Sequence, residues 1–551
     1  MPAVYSRPLA AFRGRRSGAP ARLDVAMRVD DAVHELHRIR REFGTDAART
    51  KTRLLAAIAG GGRLGRRTQR LLAEAAEFLR AYPDAAAVLR GVERVARLLP
   101  PTELSDLFAY GLARRLIRLL PGRLDIDWEC MEDEAPLLDL LELVSLPGEI
   151  NGLADTRITL REWFGKVKPR GVTDLEYSID RLERSGLTEP LRCHLFDACK
   201  ITVRYRGPRL SDLRLPVERV HYQRATIARD GFPLAPYIRR PIGHVSAGGG
   251  SAVLPVALQA LSARNLEIYP LIHANGADVT VAEAGRGVRI ALMGTEPSWR
   301  LPLESLYFFM LFKNGVPVAY GPAALFGGCC EMGINLFPEF RGGEIRFFYG
   351  QLMRLLHHRL GAEYFFLTRY GMGEDNEEAI ESGAFWFYRK LGFKPTNPNV
   401  EALARQEEAR RQADPGHRSD SRMLRSLSRT EAYLDLSGGR SQPLDFGRLA
   451  LAESRTLEEA AGGSRSRAEA GCAARLGPIL DVDPRARAVR AAAPTLCLIP
   501  DLAQWPRGVR STLARYLRAK DAPSEAGAAR LSARMPRLVE ALRLAAGGAE
   551  R

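Results

Sequence analysis

Residues 331–395 gather the side chains best suited to chemistry: EMGINLFPEFRGGEIRFFYGQLMRLLHHRLGAEYFFLTRYGMGEDNEEAIESGAFWFYRKLGFKP. The pattern predicts a strand that ends at Pro338, a short Arg/Gly turn, and a helix opening near residue 343. A strand-to-helix turn of this kind aims unpaired backbone N–H groups at the positive end of the helix, a ready place for phosphate. Arg341 stands at its entrance and offers a charge-assisted bond. A second helix, about 376–391, carries Tyr388 near its C-terminal end and closes on Lys390-Leu391-Gly392-Phe393. Asp375-Asn376-Glu377-Glu378 reads as its start, and Gly392 as a left-handed stop.

Other constellations are weaker. His244-Val245-Ser246-Ala247-Gly248 imitates a nucleophile elbow with His in place of the first glycine, but the flexible-loop reading of 243–255 outweighs it. GGGRLGRRT (60–68) lacks the Lys-Ser/Thr ending of a phosphate loop. The acidic run DIDWECMEDE (125–134) reads as a solvated face. His357 and His358 are consecutive on a helix and diverge by about 100°, so they do not share a metal. Seven scattered cysteines without a C-x-x-C pair argue against a zinc cluster or a disulfide framework. No metal is expected.

The two chemical pieces resemble the GNAT superfamily, the acyl-CoA-dependent N-acyltransferases. LFPEFRGG (336–343) is similar to that family's fourth-strand exit and pyrophosphate turn. AFWFYRKLGFKP (384–395) is similar to its later helix. The resemblance covers about 265–395 and implies an α/β fold with a mixed sheet and acetyl-CoA, or another acyl-CoA, as co-substrate. It further implies cofactor contacts at Leu336, Arg341, Gly342, Gly343 and Arg346. The thioester would lie along the strand from Glu331 to Leu336. Tyr388 would protonate the departing thiolate, and Glu331 would serve as the base for the attacking amine. The turn departs from the family pattern: Glu344 stands where the second glycine belongs and Arg346 where a third small residue belongs. A carboxylate in the first helical turn satisfies the helix dipole by itself and repels phosphate.

The elements that must position these groups read as follows. The length of 551 residues suggests about three domains. Residues 1–25 read as a disordered basic tail without a signal-peptide core, as in a cytoplasmic protein. Residues 26–150 read as helical, with TQRLLAEAAEFLRAY (68–82) and TELSDLFAYGLARRLIRLL (102–120) in helical register. A mixed transition region, 151–262, holds the capping box TDLE (173–176) and the strand-like KITVRYRG (200–207). A run of strands from 263 includes the hairpin signal Asn314-Gly315, and the α/β layer extends to 397. Residues 398–551 read as helical, partly disordered over 437–487, with amphipathic helices near 508–519 and 526–545.

Composition sets outer bounds. Hydrophobic residues at 46% and charged residues at 26% fit a chain with a sizeable core. Apolar runs such as LYFFMLF are far shorter than a membrane span. The net charge of +16 and a pI near 9.8 draw the chain toward anions. The leading expectation is acyl transfer to an amine of a small molecule or peptide. A non-catalytic GNAT-like scaffold, with protein partners on the helical regions, is the alternative. A basic nucleic-acid-binding protein is the third.

Overall fold

The computed structural model describes residues 103–155, 157–206, 213–218, 221, 234–262, 271–337, 345–460 and 464–547. The expected tail, the helices expected before residue 103, and Arg341, Gly342, Gly343 and Glu344 fall outside these residues.

The described chain is mixed α/β. Its first unit carries β1 (Glu103–Leu107), α1 (Tyr110–Leu119), β2 (Leu124–Ile126), α2 (Ala135–Val144), α3 (Pro147–Leu153), α4 (Leu160–Val167), α5 (Asp174–Arg184), α6 (Glu189–Ala198) and β3 (Thr202–Arg206). The strands form a small antiparallel sheet in the order β1-β3-β2. Residues 103–107 are therefore strand, where the sequence pattern extends a helix over 102–120. Pairing with β3, whose Val203 and Tyr205 are fully buried, overrides the local helical period. The capping box is present: Thr173 accepts from the Glu176 N–H, and the Glu176 side chain accepts from Thr173.

The second unit is a ten-stranded sheet made of β4 (Val245–Ala247), β5 (Ala274–Gly285), β6 (Val288–Thr295), β7 (Ser305–Lys313), β8 (Val316–Phe326), β9 (Cys329–Met332), β10 (Asn335–Leu336), β11 (Tyr364–Leu367), β12 (Lys394–Pro395) and β13 (Ala432–Asp435). Its order is β12-β13-β11-β9-β8-β7-β6-β5-β4, with β10 also on β8. The Asn314-Gly315 signal forms the expected two-residue turn, Lys313 facing Val316, with both turn residues at positive φ. Two features differ from the sequence reading. After the short helix α7 (Leu234–Ile238), residues 245–247 are an edge strand and Gly250–Ser262 a helix (α8), not a flexible loop. The sheet also continues past 397, because β13 inserts between β11 and β12.

Helix α9 (Ile345–Leu360) joins the parallel neighbours β9 and β11. After β11 come α10 (Arg369–Met372), α11 (Glu377–Ser382), α12 (Ala384–Lys390), α13 (Pro398–Ala413) and α14 (Ser421–Leu427). The single helix expected over 376–391 is thus two, broken at Gly383, whose φ of +67° is left-handed. One continuous core runs from the first unit through this sheet.

A third unit has its own core, built by α15 (Phe446–Ala460), α16 (Arg465–Leu480), α17 (Arg487–Leu496), α18 (Arg507–Lys520), α19 (Ala526–Ser532) and α20 (Pro536–Gly547). Leu303, just ahead of β7, and Phe326, at the end of β8, enter that core. Much of 437–487, expected to be partly disordered, is helical. Its Ala/Arg composition is helix-forming, and Ala473 is buried in the same core as Leu476 and Leu496.

Candidate active site

Strand β9 is the hinge of the site. It pairs antiparallel with β8 and parallel with β11, from Tyr364↔Cys329 to Phe366↔Glu331. Beyond Glu331 the parallel pairing stops, while the chain stays on β8: Asn335 faces Tyr320, Leu336 faces Ala319, and the Phe337 N–H reaches the Val318 carbonyl at 3.2 Å. The pairing of β8 with β9 ends at Ala323↔Met332, one residue short of Pro322, and resumes with β10 at Tyr320↔Asn335. Gly321 keeps the strands close there; a Cβ would run into the Gly333 carbonyl. Among the described residues, β10 thus has β8 as its one strand neighbour, because β11 ends at Leu367; the unpaired edge of β10 beyond the end of β11 is the wedge of the site. Leu336, half-buried, lies on the β10 side of that wedge.

Tyr388 reaches the sheet from α12. It is 6% exposed and sits in an edge-to-face cluster with Tyr349 (5.8 Å), Phe387 (5.1 Å) and Phe393 (5.8 Å). Burial pushes its phenol well up, so the ring stays protonated across the physiological range. Tyr349, on α9, is fully buried, and its hydroxyl has no hydrogen-bond partner in the described structure. Burial raises it, and Tyr388 and Cys330 are near enough to raise it further. The aromatic cluster therefore backs onto β9 at Cys330. The helix ending that presents Tyr388 is as the sequence predicts: Gly392 has φ +98°, and the Phe393 N–H bonds the Tyr388 carbonyl at 3.2 Å. Asn376 caps α11 by accepting from the Ala379 N–H at 3.1 Å.

Glu331 is half-buried at the point where the parallel pairing ends. Burial raises its carboxyl, and the Glu431 carboxylate adds to the rise. A second acid escaped the sequence reading. Glu304 precedes β7 by one residue; burial first, and then the charge of Glu331, push it up to about 7. Cross-strand register explains the proximity. Glu331 pairs with Ala324, which pairs with Leu306, two residues from Glu304 and hence on the same side of the sheet. Nothing in LPLESLYFF marks Glu304 as special; only the long-range pairing brings the two acids together.

Arg346, in the first turn of α9, donates to the Lys390 carbonyl at 3.1 Å and so bridges the start of α9 to the end of α12. The neighbouring Arg389 is held by four hydrogen bonds of 2.6–3.1 Å to Glu401 and Glu408 of α13. The minor candidates find structural roles. Ser246 is exposed, and its hydroxyl donates weakly to the Val281 carbonyl. His357 and His358 bond to the carbonyls of Ala362 and Arg240. Asp125 accepts from the Asp174 N–H at the start of α5, and Asp127 pairs with Arg204. All seven cysteines are free, and three of them are buried. Among the described residues no cluster fits a metal ion, and no helix is long and apolar enough to cross a membrane.

Comparison with family models, with curated proteins and with solved structures gave no match to this chain.

Proposed function

We propose that residues 245–435 form a GNAT-like domain that transfers an acyl group from an acyl-CoA thioester to an amine. The observation that carries this reading is the wedge at β10. The parallel pairing of β9 with β11 ends at Glu331/Phe366, and the strand backbone at Asn335 and Leu336 has one strand neighbour among the described residues. An extended amide-bearing arm would complete that edge as an added strand. Its thioester would then lie near Glu331, between the aromatic cluster on one side and the two acids on the other. The likeness to that family rests on the sequence motifs at 336–343 and 384–395, and the function is inferred from the residues at the wedge.

Each side chain has a role that suits its surroundings. Glu331 and Glu304 share a site in which their charges oppose one another, so at neutral pH one of them is available to accept the amine's proton. Tyr388, neutral at every relevant pH, supplies a proton to the departing thiolate. By the sequence resemblance, Arg341, Gly342 and Gly343 would hold the pyrophosphate ahead of α9, and Arg346, which reaches the Lys390 carbonyl, would stand on its nucleotide side. The amine would belong to a small molecule or peptide.

The burial of Tyr388, and the sequence departure at Glu344 and Arg346, stand on the side of a non-catalytic scaffold. Thermal unfolding with millimolar acetyl-CoA separates the two readings. The enzyme reading expects the melting temperature to rise with cofactor concentration, as binding to the folded state alone requires; an unchanged melting temperature removes it.

A further inference from the structure

The end of α12 carries a group of cations that the chain itself does not neutralise. Trp386 and Lys390 are one turn apart and share a helix face. The Arg411 guanidinium lies 4.5 Å over the Trp386 ring. The Trp386 indole N–H donates to the Ser419 hydroxyl at 2.9 Å, and the adjoining Arg418 guanidinium donates to the Pro415 and His417 carbonyls at 2.9 and 2.8 Å. Arg346 arrives from α9 through its bond to the Lys390 carbonyl. The loop that carries Arg418 is itself pinned: His417 and Ser419 bond the buried Glu407 at 2.6 and 2.8 Å.

Four cations from three separate segments thus converge, and among the described residues none of them has a carboxylate partner. Nearby acids are committed elsewhere. Glu401 and Glu408 bind Arg389, and Glu407 binds His417 and Arg410. The repulsion registers at the Lys390 ammonium, which partial burial, then Arg411, Arg346 and Arg418, push down. Like charges brought together at a cost, on a platform held by buried hydrogen bonds, suit a multiply charged anion.

We propose that Arg346, Lys390, Arg411 and Arg418 form a subsite for the phosphomonoester on the nucleotide end of coenzyme A. The proposal rests on the acyl-CoA reading above. It adds a specificity: the site distinguishes a nucleotide bearing the 3′-phosphate from one lacking it. The subsite lies at the start of α9, beyond the wedge, where the nucleotide end of a cofactor threaded from Glu331 toward that helix would emerge.

The test is isothermal titration of the full chain with CoA, with 3′-dephospho-CoA and with adenosine 3′,5′-bisphosphate. Charge-assisted contacts to one phosphate correspond to about a tenfold or larger preference for CoA over the dephospho form. Adenosine 3′,5′-bisphosphate should compete with CoA. In Lys390→Gln, an exposed position, and in Arg411→Gln, the preference should fall toward unity while 3′-dephospho-CoA affinity holds. Equal affinities in the unmodified chain overturn the subsite but leave the acyl-CoA reading standing. So does a preference that survives both substitutions. If neither CoA form binds, the subsite and the acyl-CoA reading fall together.

Discussion

A carboxyl group held near pH 7 serves as a base and also alters stability as it ionises, and Glu304 is such a group. Its folded value of about 7 lies above the 4.5 of an ordinary Glu, so the native state binds its proton more tightly than the unfolded chain does. The contribution is therefore fully favourable below about 4.5 and is lost as pH rises to about 7. Glu331, raised in the same direction, adds to the trend. Glu304→Gln fixes the neutral form, so denaturation midpoints should show the variant gaining on the unmodified chain between pH 5 and pH 8. Parallel profiles would refute the shared-site argument. Under the acyltransfer reading, Tyr388→Phe should lower turnover by about 10²–10⁴-fold while CoA affinity changes little, because a phenol acting as acid contributes only as the thiolate leaves. A loss confined to KM would instead mean that the ring only packs.

Elements were legible in proportion to how local their causes are. The α5 capping box, the Asn314-Gly315 turn and the Gly392 stop each depend on a few neighbouring residues, and each forms as read. Strand β1 and strand β13 were not read, because both exist only through partners far along the chain: β3 for one, β11 and β12 for the other. The pairing of Glu304 with Glu331 was hidden for the same reason. Tyr388 and Arg346 could be singled out because a helix ending and a helix start are local signals; the meeting of Arg346 with Lys390 was not legible. The break at Gly383 yields a prediction at this scale. A Cβ there meets nothing within 4 Å, so Gly383→Ala tests backbone conformation alone. Left-handed φ costs a non-glycine residue about 1–2 kcal/mol, and chemical denaturation should show a loss of that size. A neutral result would mean that α11 and α12 merge into one helix, and the Tyr388 side chain would turn with it.

At the scale of the whole molecule, the question is what binds the C-terminal helical unit to the sheet. The joint is a buried ionic network at the mouth of β7. Lys520 pairs with Glu525 and donates to the Glu304 carbonyl at 2.7 Å, with both charged side chains essentially inaccessible. The Glu525 N–H bonds Asp278, which also accepts from the Tyr307 hydroxyl at 3.1 Å; Gly294 is required there, since a Cβ would overlap the Asp278 carboxylate. Arg300 binds the carbonyls of Lys520, Ala522 and Pro523 at 2.6–3.0 Å. Removing one partner of a buried pair strands the other charge, so Lys520→Met should cost about 3–5 kcal/mol. Replacing both partners, as Lys520→Met with Glu525→Leu, should recover part of that loss, because an apolar pair needs no desolvation of charge, while the buried Arg300 guanidinium, 3.8 Å from Glu525, gives up that carboxylate. Glu304 makes the joint more than a fastening. Lys520 holds its backbone and also opposes the rise of its carboxyl. In the double variant, which folds by this argument, the Glu304 titration should therefore move to higher pH, visible as a shift in the pH dependence of its stability. An unmoved titration would mean that the C-terminal unit braces the sheet without reaching the acids at the wedge.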